Sequence, residues 1–183
     1  MDSARKPSSA TVRIKHYARI LQRRARDAEP DALSRLRALR EFAGAEPEHI
    51  SRSVRREHCL TAGALQLGFQ SWRHALEVLD GENEDFGTLL YPSSCMGHWN
   101  IWSAHYPEAR EIRAAHGGYL LAYRRQFLIV DRDYIDSLGL DPDHPAWNEM
   151  GRDWPQPLDR GARAQLYHRL VQNALVIQDT HER

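Results

Sequence analysis

Lysine is scarce in this sequence: Lys6 and Lys15 stand against 23 arginines. GC-rich coding alone produces such a bias, so the arginines by themselves do not signal phosphate binding. Cysteine is almost as rare. Cys59 and Cys95 allow at most one disulfide, which excludes a fold stapled by cross-links and makes free thiols in a reducing compartment the expectation. No apolar run approaches the roughly 18–20 residues that span a bilayer, and the first twenty residues have no apolar segment of the secretory type. The expectation is therefore a cytosolic protein with no membrane contact. Also missing are the G-x-S-x-G elbow, the phosphate-binding P-loop, the dinucleotide fingerprint and the H-E-x-x-H zinc motif. The commonest hydrolase, nucleotide-binding and zinc-protease signatures are thus excluded.

What remains is an ordinary globular composition, 183 residues with 42% hydrophobic and 27% charged side chains, enough for one domain with its own core. The net charge is zero but unevenly spread: residues 1–40 hold 11 Lys/Arg against 4 Asp/Glu, leaving 14 against 21 in the rest. A basic N-terminal segment can meet nucleic acid or an acidic partner. It can equally dock on the acidic remainder of its own chain.

Apolar spacing gives the organisation. Residues 1–10 read as a loose tail and 11–81 as a helical N-terminal unit. Ile14, Ala18, Leu21 and Ala25 form the stripe of a first helix that Pro30 closes. Leu33, Leu36, Leu39 and Phe42 form a second, capped by Asp31 and ended by Gly44. A third starts at Ser53 and a fourth at Ser71, with Gly68 and Gly81 as stops. Residues 82–183 read as a mixed α/β unit. "GENEDFGTLLYPSS" connects; "NIWSAHYPEAREIRAAHGG" gives one or two helices, with Pro107 in a first turn and Gly117 as a stop. "YLLAYRRQFLIV" alternates as one strand, for which "GTLLYP" or a second chain is the expected neighbour. Asp131, Pro145 and Asp159 open three further helices. The fold class is mainly α with a small β component: a four-helix N-terminal unit packed on a mixed C-terminal unit, in one compact body.

The stretch "ISRSVRREHCLTAGALQLGFQSWRHALEVLDG", with Leu67, Gly68, Phe69, Ser71, Trp72 and Leu76 behind an alanine-rich helix, resembles a short helical module that accompanies some bacterial glyoxalase-superfamily-related proteins. The resemblance covers residues 50–81 and implies a helical packing module. It implies no lyase activity, because residues 82–183 offer one strand where paired βαβββ units would need eight.

Three constellations could carry chemistry. Cys95, His98, His105 and His116 combine a thiolate and imidazoles, the ligand types zinc accepts. On one helix, however, His98 and His105 would lie about 10 Å apart, two turns. Cys95 with His98 or His105 is also a candidate nucleophile and base. Cys59 reads instead as a small core residue. Arg13, Lys15, Arg19, Arg23, Arg24 and Arg26 make the first helix a candidate nucleic-acid surface. In "AYRRQF", Arg124 and Arg125 fall on opposite strand faces. The Gly68 turn has helix-turn-helix spacing, but its second helix offers chiefly Gln70, Arg73, His74 and Glu77, a short reach for base edges. The leading expectation is a non-catalytic interaction or regulatory protein that binds a protein partner or itself through its helical unit. A nucleic-acid binder and a metal- or cysteine-dependent enzyme are the alternatives.

Overall fold

The computed structural model describes residues 8–175, so residues 1–7 and 176–183 of the N-terminal tail and C-terminal unit lie outside it. It bears out a mainly helical chain with a small sheet. Helix α1 spans Ser9–Arg26, and Ser8 caps it by accepting from the Thr11 amide. The tail therefore ends earlier than expected, since Ala10 is already core. Helix α2, Pro30–Leu36, starts on its proline, so Pro30 opens this helix more than it closes the first. Asp31 stands in its first turn and does not cap it. The second stripe is also broken: after Leu36 the chain leaves the helix, and a separate 3-10 turn at Arg40–Phe42 delivers Phe42 to the core.

Helix α3, Pro47–Ser53, has no counterpart in the periodicity, because Ile50 is its only buried residue. Helix α4, Arg56–Gln66, starts after Ser53. Its entry is held by the His58 imidazole, which accepts from the Arg55 amide at 3.1 Å. Helix α5, Trp72–Leu79, is capped by Ser71 as expected. The region therefore holds five α-helices where four were expected.

Residues 82–100 connect without strand or α-helix. Strand β1, Ile101–Ser103, takes the place of a helical turn, and helix α6, Tyr106–His116, follows with its proline in the first turn. The alternating segment is two strands. β2, Tyr119–Tyr123, turns through Arg124 and Arg125 into β3, Gln126–Val130, with Tyr123 opposite Gln126. Arg124 adopts a φ of 52°, so neither arginine occupies a strand face. The expected neighbour "GTLLYP" is no strand. The Arg124 amide meets its Gly87 carbonyl, the Phe86 amide just before it meets the Arg124 carbonyl, and the Tyr91 ring packs on Tyr123. The sheet order is β1-β3-β2, antiparallel throughout, with Trp102 opposite Leu128. Helices α7, Arg132–Ser137, α8, Ala146–Glu149, and α9, Arg160–Ala174, complete the described chain, with Asp131 and Asp159 capping α7 and α9.

Burial follows the strand period. One sheet face presents Leu120, Ile129 and Phe127 to Ala109 and Ile112 of α6. The opposite face sends Tyr119, Leu121, Leu128 and Val130 into the main core, which also contains Ile14, Leu21 and Ala25 of α1 and Leu166 and Leu170 of α9. That core is continuous from the first helix to the last, and α1 packs directly on α4 and α9. Among the described residues no helix is long and apolar enough to cross a membrane.

Candidate functional site

The segment 93–103 contains the sequence's densest cluster of reactive and aromatic residues, and the structure divides it into an inner and an outer face. Cys95 ends a short 3-10 turn and is fully buried. Its thiol points at the Tyr134 carbonyl, 3.9 Å away, and burial pushes its pKa up. His98 turns back beside it, its amide bonded to the Cys95 carbonyl. The imidazole goes elsewhere: Nε2 lies 2.9 Å from Ser137 Oγ, and the ring packs edge-on against Tyr134. No hydrogen bond joins the Cys95 thiol to an imidazole among the described residues.

His105 and His116 are at opposite ends of α6, separated by about 16 Å at the rise of an α-helix. His105 is exposed at the N-cap position, where the polar work is done by Ser103: its Oγ accepts from the His105 amide and donates to Glu108. His116 is exposed at the C-terminal end with Nδ1 near the Ile112 carbonyl. The four residues Cys95, His98, His105 and His116 therefore do not converge. Among the described residues no group of three or more His, Cys, Asp or Glu could hold a metal ion. Cys59 lies in the core with its pKa pushed up to about 12 by burial. Neither sulfur has the electropositive, accessible surroundings that produce a thiolate.

The outer face is apolar and open. Trp99 is 98% exposed, Met96 65%, Ile101 41% and Trp102 40%. Trp99 lies wholly outside the core. Gly97 and Asn100 bracket it, so no regular element draws its ring inward. Trp102 is half-anchored: its ring meets Tyr91 at 5.3 Å and Tyr123 at 5.8 Å, both edge-on, and those two tyrosines also touch each other. The exposed side chains form a ledge around this base at the rim of the sheet: Trp102 lies on the face of Tyr91 and Tyr123, Ile101 on the opposite face toward α6, and Met96 and Trp99 in the loop before β1. The ledge borders a sheet edge, because β1 pairs with β3 alone among the described strands. The far edge at β2 is different, being covered by residues 152–154, which exchange backbone hydrogen bonds with Leu120.

The basic residues of α1 divide by helix face. His16, Arg19, Arg23 and Arg26 are exposed at spacings that put them on one side, while Arg13, Lys15 and Arg24 flank the buried stripe. Arg24 pairs with Glu29 at 3.2 Å. No carboxylate pairs with Arg19, Arg23 or Arg26 among the described residues. Among the described residues no acidic side chain takes up this exposed face, although α1 packs on α9 through its other side. The helix-turn-helix reading loses one of its contact residues, since His74 is buried and bonded to the Gln70 amide and the Asp85 carbonyl.

Comparison with protein-family models, with curated proteins and with solved structures returns no match in any of the three.

Proposed function

We propose that this chain is a non-catalytic interaction protein that pairs with a second copy of itself through the ledge of Met96, Trp99, Ile101 and Trp102. The observation that carries this reading is Trp99, a large apolar ring left almost wholly in water. Clustered exposed apolar side chains beside a polar surround are the usual mark of a contact surface. The apolar stripe of α1, the other candidate surface, is spent in the chain's own core.

A second copy suits the ledge because of its position on the sheet. An unpaired strand edge is a template for another strand, and two β1 edges related by a two-fold axis meet antiparallel. The exposed side chains of the two copies then lie alongside each other across that axis, Trp102 on one sheet face and Ile101 on the other. Burying one tryptophan ring removes roughly 150–250 Å² from water, worth about 4–6 kcal/mol at ~25 cal/mol per Å² before the costs of association are subtracted. Sedimentation velocity over a dilution series tests this. The wild-type chain should pass from dimer to monomer on dilution, and Trp99→Ala or Ile101→Lys should move that transition to higher concentration. A chain monomeric throughout, or variants that associate like wild type, would overturn it.

The exposed stripe of Arg19, Arg23 and Arg26 supports a second reading, a nucleic-acid surface. Binding through such a stripe is dominated by phosphate contacts and weakens steeply with salt. Retention on a heparin column at low salt, reduced by Arg19→Ala/Arg23→Ala, is the expected outcome. Passage without retention would remove this reading.

A further inference from the structure

A cleft of about 890 Å³ lies between the 81–86 connection, the start of α6, the hairpin turn and the start of α9. Three guanidinium groups line it, those of Arg125, Arg160 and Arg163. Arg125 and Arg160 are exposed, and neither forms an ion pair among the described residues. Arg163 is the unusual one, because only 5% of it is exposed. A buried guanidinium normally has a carboxylate against it, since an uncompensated buried charge is expensive. Here Nη1 donates to the Trp154 carbonyl at 2.9 Å and, less closely, to the Pro155 carbonyl, and among the described residues no carboxylate accepts from it.

Asp153 acts electrostatically on Arg163, but its oxygens are committed elsewhere. Oδ2 accepts from the Tyr106 hydroxyl at 2.6 Å and Oδ1 from the Gln156 amide at 3.0 Å. The second terminal nitrogen of Arg163, Nη2, lies against Gly81, a residue of the cleft wall. A Cβ at position 81 would stand 2.7 Å from Nη2, so glycine lets the guanidinium lie close against this wall. Beside the cations the wall carries three aromatic side chains, Phe86, Phe127 and Tyr106, the last two in edge-on contact at 5.7 Å. Glu82 and Glu84 also line the cleft, and their charge disfavours a polyanion.

We propose that this cleft binds a small organic anion, a carboxylate or phosphate carried on a flat apolar group, with Arg163 Nη2 as its buried anchor and Arg125 and Arg160 completing the cation set. A guanidinium fork matches the oxygens of either anion, and an anion at its open edge supplies the countercharge that Asp153 does not. The flat group lies along Phe86 and Phe127. This site is independent of the ledge and of the pairing proposed for it.

Isothermal titration of the full chain with phenyl phosphate, benzoate and inorganic phosphate tests the proposal. Arg125→Ala/Arg160→Ala is the informative variant, because both side chains are exposed and the fold does not need them; Arg163 itself is too deeply packed to remove cleanly. One of the two aromatic anions should bind roughly tenfold more tightly than inorganic phosphate, and which one does so identifies the headgroup. The double variant should lose about a hundredfold, a factor of ten for each charge-assisted hydrogen bond removed. Absence of binding by both aromatic anions, binding no tighter than that of inorganic phosphate, or affinity unchanged in a folded double variant would each overturn it.

Discussion

Replacing Trp154 and Trp99 in turn by alanine removes the same side chain from two opposite environments. Trp154 is fully buried. It meets Tyr167 edge-on at 4.8 Å and Trp147 at 5.6 Å, and Trp147 in turn meets Tyr119, so its loss opens an aromatic column that runs from α9 to β2. Large-to-alanine changes of this kind cost about 3–5 kcal/mol through lost transfer energy and the remaining cavity. The broken ring pair adds about 0.5–1.5 kcal/mol. Trp154→Ala should therefore cost about 4–6 kcal/mol, a quarter or more of the roughly 5–15 kcal/mol that holds an ordinary domain folded. Trp99 makes no ring contact in the described structure and is almost wholly exposed, so Trp99→Ala should stay within about 0.5 kcal/mol. Urea unfolding monitored by circular dichroism, at a concentration low enough to keep the chain monomeric, measures both. The midpoint should fall sharply for Trp154→Ala and hardly move for Trp99→Ala, with similar slopes. A loss above about 1 kcal/mol for Trp99→Ala would mean that its ring packs within the monomer, and the ledge would cease to exist as a surface.

Stability should also fall on the alkaline side. Burial raises the pKa of Cys59 from 9.0 to about 12 and raises those of Tyr17, Tyr106, Tyr134 and Tyr167 as well. The unfolded chain sheds these protons first, so the native state holds more of them between pH 9 and pH 12, and stability present below that window is lost as pH rises through it. A urea midpoint that does not drop across the window would contradict the burial of these groups. Both thiols should react with a disulfide reagent far more slowly in the folded protein than in urea; rapid labelling of native Cys95 would contradict its packing beneath Tyr134. Gly68→Ala should destabilise by at least about 1–3 kcal/mol in thermal unfolding, because residue 68 has a φ of +81° and the added Cβ would fall 2.1 Å from Thr88 Oγ1. An unchanged melting temperature would show that the 68–88 contact is loose.

Helix starts are legible at Ser71, Asp131 and Asp159 but not at Asp31 or Ser53, neither of which caps a helix. Ser71, Asp131 and Asp159 each accept backbone hydrogen bonds at the start of the helix they were expected to open. Reading failed where tertiary contacts decide. The entry of α4 is fixed by His58, a residue type with no standing as a capping signal, which also reaches Glu41 and Phe42. The hairpin was hidden because its turn is Arg-Arg, without the glycine or asparagine that a positive φ usually selects. The same error placed Arg125 on a strand, whereas it lines the cleft. The thiol and imidazoles of the 95–116 stretch were visible as residue types, but sequence spacing could not show that β1 would separate His98 from α6 and its two histidines. Buried Arg163 left no signal at all: its position depends on where the Trp154 and Pro155 carbonyls come to rest beside α9.

The pairing of two copies through the ledge is tested most directly by following the indole N–H resonances of all five tryptophans through a dilution series of nitrogen-labelled protein. The signals of Trp99 and Trp102 should move with concentration while those of buried Trp147 and Trp154 stay fixed. Five signals that hold their positions from the most dilute to the most concentrated sample would contradict the account.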